Sequence, residues 1–256
     1  MNPLLALTPS QVARVKTKPP PFTFSPGGTQ FLAVSGTLTD RFLVTFRADA
    51  APLRALVPEP FELDSHAGYG FLSVCAVEIA NMGLAGTPRF MRWQNREFLY
   101  RLGVRLHGAS TFITLRSEVS SPVLALLGRY FSHYRPVRAK LELVRNGERF
   151  RMSADTGDAE LEVDLQDVPK TASVFANEAQ AADFLLGQKF SADVDGGRVR
   201  VQPIEHAAWQ PRFVATRVAH FAFVQELGQR LGARFELDST LAVHDVPHVW
   251  KAARWL

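Results

Sequence analysis

The sequence predicts a mainly β protein (α+β) in which antiparallel strands are interrupted by a few helices. Three observations carry this reading. About a dozen short β-like runs follow one another without alternating with helices, which disfavours a parallel doubly wound sheet. One of them, Tyr69 to Ala80, is apolar on both faces, the pattern of a strand covered on both sides. Turn signals such as Asn146-Gly147 and Asp195-Gly196-Gly197 sit between runs at hairpin spacing.

The elements follow in order. Residues 1–28 read as an extended arm, because Pro19-Pro20-Pro21 favours polyproline geometry and Pro26-Gly27-Gly28 is a turn signal. Residues 29–256 form the main domain. It opens with "FLAVSGTL" and "RFLVTFRA", read as a hairpin, and with "AAPLRALVP", a short helix closed by Pro58 and Pro60. "FELDSHAGYGFLSVCAVEIA" is two strands about a His-Ala-Gly turn, and "GLAGTPRFMRWQ" is a loop. "REFLYRLGVRL" and "STFITLRSEVS" are strands joined near His107-Gly108. "SSPVLALLGRYFSHY" carries a serine cap and a first-turn proline, so it reads as a helix. "VRAKLELVR", "RFRMSAD" and "AELEVDLQD" are strands, "NEAQAADFLLG" a helix, and "QKFSADV", "RVRVQPIEH" and "RFVATRVA" strands. "FAFVQELGQRLG" is a helix ending at Gly232, and "ARFELDSTLAVHDV" is one strand or a pair.

Composition limits the function classes. Net charge is +4 and the 29 Lys and Arg are interspersed with 25 acids, so no clustered nucleic-acid footprint stands out. An anionic small ligand suits the arginine-rich cations better, since a planar guanidinium forks onto a carboxylate or phosphate. Cys75 is the one cysteine, which excludes an internal disulfide and fits a reducing cytoplasm. No apolar run reaches the length of a membrane span, so neither nucleic acid nor membrane is expected as a partner. A homo-oligomer stays open. No P-loop, dinucleotide fingerprint or nucleophile elbow is present, so no cofactor is expected. His244 and His248 read H-x-x-x-H, but Pro247 and the absent glutamate argue against a zinc helix, so no metal is expected.

The order of elements carries a resemblance. A strand, "APLRALVPEPFELD", a glycine, the long apolar strand, "NREFLYRLGVRL", a short strand, a helix running into "GRYFSHYRPVRAKLEL" and a closing "DSTLAVHDVPHVW" resemble the acetoacetate decarboxylase-like superfamily. The likeness covers most of residues 35–250 and is strongest to a bacterial branch lacking the Schiff-base lysine. It implies a closed antiparallel β-barrel with peripheral helices and an internal pocket lined in part by the helix-to-strand join at His133-Tyr134. The superfamily places its reactive lysine just after a glycine-tyrosine-proline turn. The matching segment here, His133 to Arg138, has no lysine, and a guanidinium stays protonated and is a poor nucleophile. Lys140, two residues further on, would need a register shift to serve.

Candidate site residues follow from these patterns. Glu97 and Glu78 are the candidate acids or bases, Glu78 because it interrupts an apolar strand and Glu97 because period two puts it on one face with Arg101 and Arg105. Arg101, Arg138, His133, Tyr134 and Tyr100 are the candidate ligand contacts. Arg116, Glu118, Lys140 and Glu142 read more simply as an outer-face charge ladder. Three functions remain open at this stage. One is a barrel binding a small anionic or keto-acid-like ligand without imine chemistry. Another is a lyase or hydrolase using Glu97 or Glu78 on a keto acid, and the last is an interaction protein with a filled interior.

Overall fold

The computed structural model describes residues 33–84, 86–131, 136–166, 173–195, 197–208 and 210–256. The arm read over residues 1–28 lies outside them. The strands are β1 (Val34–Asp49), β2 (Glu62–Leu63), β3 (Ser65–His66), β4 (Tyr69–Leu84), β5 (Trp93–Leu106), β6 (Ala109–Val119), β7 (Val137–Arg138) and β8 (Leu141–Asn146). They continue with β9 (Arg149–Ala154), β10 (Ala159–Asp164), β11 (Phe190–Asp195), β12 (Arg198–His206), β13 (Arg212–Phe213), β14 (Ala215–Phe221), β15 (Glu236–Trp250) and β16 (Arg254–Trp255). The α-helices are α1 (Ala50–Leu53), α2 (Pro122–Phe131), α3 (Glu178–Leu186) and α4 (Ala222–Leu231). The predicted serine cap forms as read, and Asn177 supplies a second cap. Ser121 Oγ accepts from Leu124 N at 3.3 Å, and Asn177 Oδ1 accepts from Gln180 N at 2.9 Å.

The strands make two sheets. The larger runs β11-β12-β15-β1-β4-β5-β6-β7, and the smaller β14-β10-β9-β8. Pairing is antiparallel except for β7, which lies parallel to the end of β6. The smaller sheet covers the centre of the larger one. Phe42, Val44, Phe46, Leu72, Val74, Ala76, Phe98 and Tyr100 meet Phe150, Met152, Leu161, Val163 and Phe221 there in one core. On the opposite face, Leu43, Phe71, Cys75, Val77, Leu241 and Val243 pack against α3 through Ala181, Leu185 and Leu186. The long apolar strand is therefore covered on both sides, as its sequence implies.

The expectation of a closed barrel is not met: no sheet is closed into a barrel. The double coverage that suggested a barrel wall comes instead from the second sheet on one side and α3 on the other. The larger sheet does curl, with register shifts at Thr45/Phe46 and Tyr100/Arg101 that bend it. Its far strands β6 and β11 come side by side. Thr111 Oγ1 donates to the Phe190 carbonyl at 2.8 Å, a side-chain bond in place of a backbone ladder.

Two residues in the left-handed region set which side chains face α3. In β4 the inward set is Cys75, Val77 and Ile79, then Met82; Asn81, at φ 50°, lies between. In β15 it is Leu241 and Val243, then Val246; Asp245, at φ 52°, lies between. Asn and Asp tolerate this conformation better than other L-residues, and one such residue shifts the alternation by one position.

Two outcomes are expected. Phe42, fully buried and 4.3 Å from the Phe150 ring, joins the two sheets. Phe42→Ala should cost about 3–5 kcal/mol in urea unfolding. Asp245→Val should cost about 1–2 kcal/mol while Asp245→Gly stays close to wild type, because only the β-branched residue resists the left-handed backbone.

Candidate functional site

On the α3 side of the larger sheet lies a cavity of about 100 Å³. Its apolar wall includes Leu38, Val77, Ile79, Val119, Leu124 and Leu186. Among the described lining residues the charges are Arg41 from β1 and Glu97 and Arg101 from β5. All three are buried, at 6%, 5% and 5% exposure. Gln202, His206, His248 and Trp250 bring polar and aromatic groups from β12 and β15. The alternation that leads through Leu241 and Val243 would send His248 to the other face; the shift at Asp245 turns it inward.

Several of these groups have defined neighbours. Ser117 Oγ, on the neighbouring strand β6, donates to Glu97 Oε1 at 2.7 Å. The Arg101 guanidinium lies over the Phe112 ring, 4.4 Å from its centroid. His206 Nδ1 lies 2.7 Å from the Ala207 carbonyl. A carbonyl only accepts, so Nδ1 is the donor in this bond. The His206 and His248 rings stack at 5.3 Å and 11°, and His248 lies 4.8 Å from the Trp250 ring. Burial pushes the His248 imidazole down to about 2, and Arg41, His206 and Arg101 add to the effect. His248 is thus neutral at physiological pH. Among the described lining residues two guanidiniums and one carboxylate share the cavity, and a guanidinium is the side chain best shaped to hold a carboxylate.

The predicted site residues divide. Glu97 and Arg101 come together in the cavity. Glu78 does not join them. It lies on the opposite face of β4, where Arg96 Nε is 3.0 Å from its Oε1 and Thr39 Oγ1 donates to its Oε2 at 3.3 Å. Tyr100 also points away, into the core between the sheets. Burial first, then the Glu118 carboxylate, raise its phenol well above the usual range. Arg105, grouped with Glu97 by period two, sits at the far end of β5 and donates to the Gly108 carbonyl at 2.9 Å. Arg138, on β7, is exposed and does not line the cavity. His133 and Tyr134 lie outside the described residues. Arg116 and Glu118 are not an outer-face ladder: Glu118 is 3% exposed and pairs with Arg116.

Sequence reasoning missed Arg41, Gln202 and His206, and set His248 aside as a poor zinc ligand. Arg41 had one signal. It opens "RFLVTFRA" on the face opposite Phe42, Val44 and Phe46, and matters only once both faces are known to be covered. His244 and His248 do not act together. His244 Nδ1 lies 2.9 Å from Asp40 Oδ1, on the side away from the cavity. Among the described residues no group of three or more His, Cys, Asp or Glu is placed to hold a metal. Lys140 is 70% exposed at its side chain, 3.6 Å from Glu142, and no lysine is among the described residues lining the cavity.

The neutral His248 has a consequence for stability. Above pH 6.5 the imidazole is uncharged in both folded and unfolded chains, so its contribution is complete. As pH falls below 6.5 the unfolded chain takes up a proton that the folded one refuses down to about 2, and stability is lost. The slope is about 1.4 kcal/mol per pH unit. Relative to wild type, His248→Gln should lose about 2 kcal/mol less between pH 7 and pH 5 in urea unfolding.

Comparison with known proteins bears on this arrangement. No curated protein matches the sequence. Among solved structures, an acetoacetate decarboxylase from Legionella pneumophila superposes with a TM-score of 0.63 at 12% identity, over 94% of this chain and 93% of that one. The enduracididine biosynthesis enzyme MppR complexed with pyruvate superposes with a TM-score of 0.58 at 14% identity, over 93% of each chain. An acetoacetate decarboxylase-like enzyme from Sphingomonas wittichii gives 0.59 at 12% identity, over 88% of this chain and 92% of that one. These likenesses show a shared acetoacetate decarboxylase-like fold. A family model matches residues 35–248, and the chain belongs to that family, DUF2071, described as an uncharacterized conserved protein.

Proposed function

We propose that this chain binds a small organic carboxylate of the 2-oxo acid type in the cavity, and does so without forming an imine. The observation that carries the reading is the pair of buried arginines, Arg41 and Arg101, lining a largely apolar cavity together with Glu97. A guanidinium presents paired N–H donors that match a carboxylate, and the low-dielectric wall strengthens the attraction. Size favours a short molecule. A cavity of about 150 Å³ holds benzene, so one of about 100 Å³ suits roughly four to six non-hydrogen atoms. The solvated position of Lys140 supports a reading without imine chemistry, since an imine-forming amine is activated by an apolar pocket or a neighbouring cation. The MppR structure holding pyruvate supports the ligand class by likeness of fold alone. The cavity also argues against a filled interior.

One observation favours a catalytic reading beside the binding one. Glu97 shares the cavity with both arginines, and Ser117 fixes one of its oxygens at 2.7 Å. With the ligand carboxylate on the guanidiniums, Glu97 is the group able to take a proton from the carbon beside the keto group. An arginine would then stabilise the enolate. Glu78 has no part in this reading.

Calorimetry with pyruvate and glyoxylate tests the binding claim. Arg41→Met and Arg101→Met should each weaken binding by at least about tenfold, the loss of a charge-assisted hydrogen bond. Borohydride added with pyruvate should leave the protein mass unchanged. Binding indifferent to both substitutions, or a reduced adduct on any lysine, would refute the reading. Exchange of the pyruvate methyl protons with deuterium, seen by NMR and lost in Glu97→Gln with affinity retained, would establish the catalytic reading.

A further inference from the structure

We infer that the rim carrying the β4–β5 connection and α2 is a docking surface for an anionic lipid bilayer. Between Leu84 and Trp93 the chain makes a tight turn over Arg89–Met91, closed by Met91 N donating to the Pro88 carbonyl at 3.0 Å. Its base is fixed. Arg92 donates to Ser35 Oγ at 3.2 Å, to the Asn81 carbonyl at 3.1 Å and to the Thr87 carbonyl at 3.3 Å. The apolar tip is presented outward on this base, with Phe90 86% and Met91 57% exposed.

Helix α2 starts at the same end of the sheet. Ser120 N donates to the Arg96 carbonyl at 2.9 Å and Ser121 N to Asn95 Oδ1 at 3.1 Å, both close along β5 to Trp93. Leu124 turns inward to the cavity, whereas Leu126 is 68% exposed, and Val137 on β7 is 43% exposed. Large apolar side chains standing in water on a built turn and a helix mark a contact surface.

Charge decides the occupant. From Ile79 to Arg96 there are three arginines and no acidic residue, and from Val119 to Leu141 there is again no acidic residue. Arg89 and Arg138 are exposed among them. Acid-free stretches also occur at residues 1–39, 98–117 and 206–225; what sets this one apart is that its exposed Arg89 adjoins the exposed apolar Phe90 and Met91. Exposed Phe and Met beside arginines is the arrangement that enters the headgroup boundary of an anionic membrane, the apolar tip among acyl chains and the cations at the phosphates. No helix among the described residues is long and apolar enough to cross a membrane, so the contact is interfacial. Met82, Leu124 and Pro136 line the cavity from this same end, so docking would set the cavity beside the bilayer.

Sedimentation of the full chain with vesicles tests this. It should pellet with phosphatidylcholine vesicles containing phosphatidylglycerol, only weakly with phosphatidylcholine alone, and less at high salt. The double variant Phe90→Ser/Met91→Ser and, separately, Arg89→Glu should each reduce the bound fraction at least about tenfold, with circular dichroism unchanged. Leu126→Ser, on the other element, should also reduce it. Absence of pelleting, or pelleting equal in all variants, overturns the proposal. So does light scattering that finds a wild-type dimer turned to monomer by the Phe90/Met91 change without vesicle binding, which would assign the surface to a second copy.

Discussion

The burial of β1, β4 and β15 on both faces is the constraint from which the candidate site follows. The smaller sheet occupies one side and α3 the other, so a side chain near the middle of these strands has no route to water. An arginine placed there must meet its counter-charge inside the protein, because moving an ion out of water without one is costly. Arg41 and Arg101 share their enclosure with Glu97, and these buried charges are what the proposed acid ligand would meet. The same enclosure keeps His248 neutral. A charged imidazole would face both burial and two guanidiniums.

The opposite face of the larger sheet carries a second polar row that could be mistaken for the site. His244, Asp40, Glu78 and Arg96 lie on successive strands β15, β1, β4 and β5, each opposite the next. His244 meets Asp40, which Arg145 of β8 also pairs, and Arg96 meets Glu78, at the edge of the inter-sheet core. Its members lie on the face of the sheet away from the cavity and take no part in its lining.

Much of the fold was legible. The two-faced apolar character of Tyr69 to Ala80, the Asn146-Gly147 hairpin and the cap at Ser121 are local features with local causes, and they form where the residues place them. Closure was not legible, because it depends on whether strands distant in sequence pair, and β6 and β11 meet through Thr111 without a ladder. The site was half legible. Glu97 and Arg101 follow strict period two along β5. Tyr100 was misread because its neighbours gave no indication of which face held the cavity. His248 was hidden by the left-handed Asp245, which separates it from His244 by one change of face and defeats any reading by spacing. Arg41 was hidden because a lone arginine in a strand looks like an exposed one until both faces are known to be covered.

A crystal structure of the protein grown with pyruvate tests the central claim most directly. The account predicts carboxylate density in the cavity within hydrogen-bond reach of both Arg41 and Arg101, with Glu97 facing the ligand's carbon chain. Pyruvate bound elsewhere, covalently attached to a lysine, or absent while Arg41 and Arg101 turn out to solvent would contradict it.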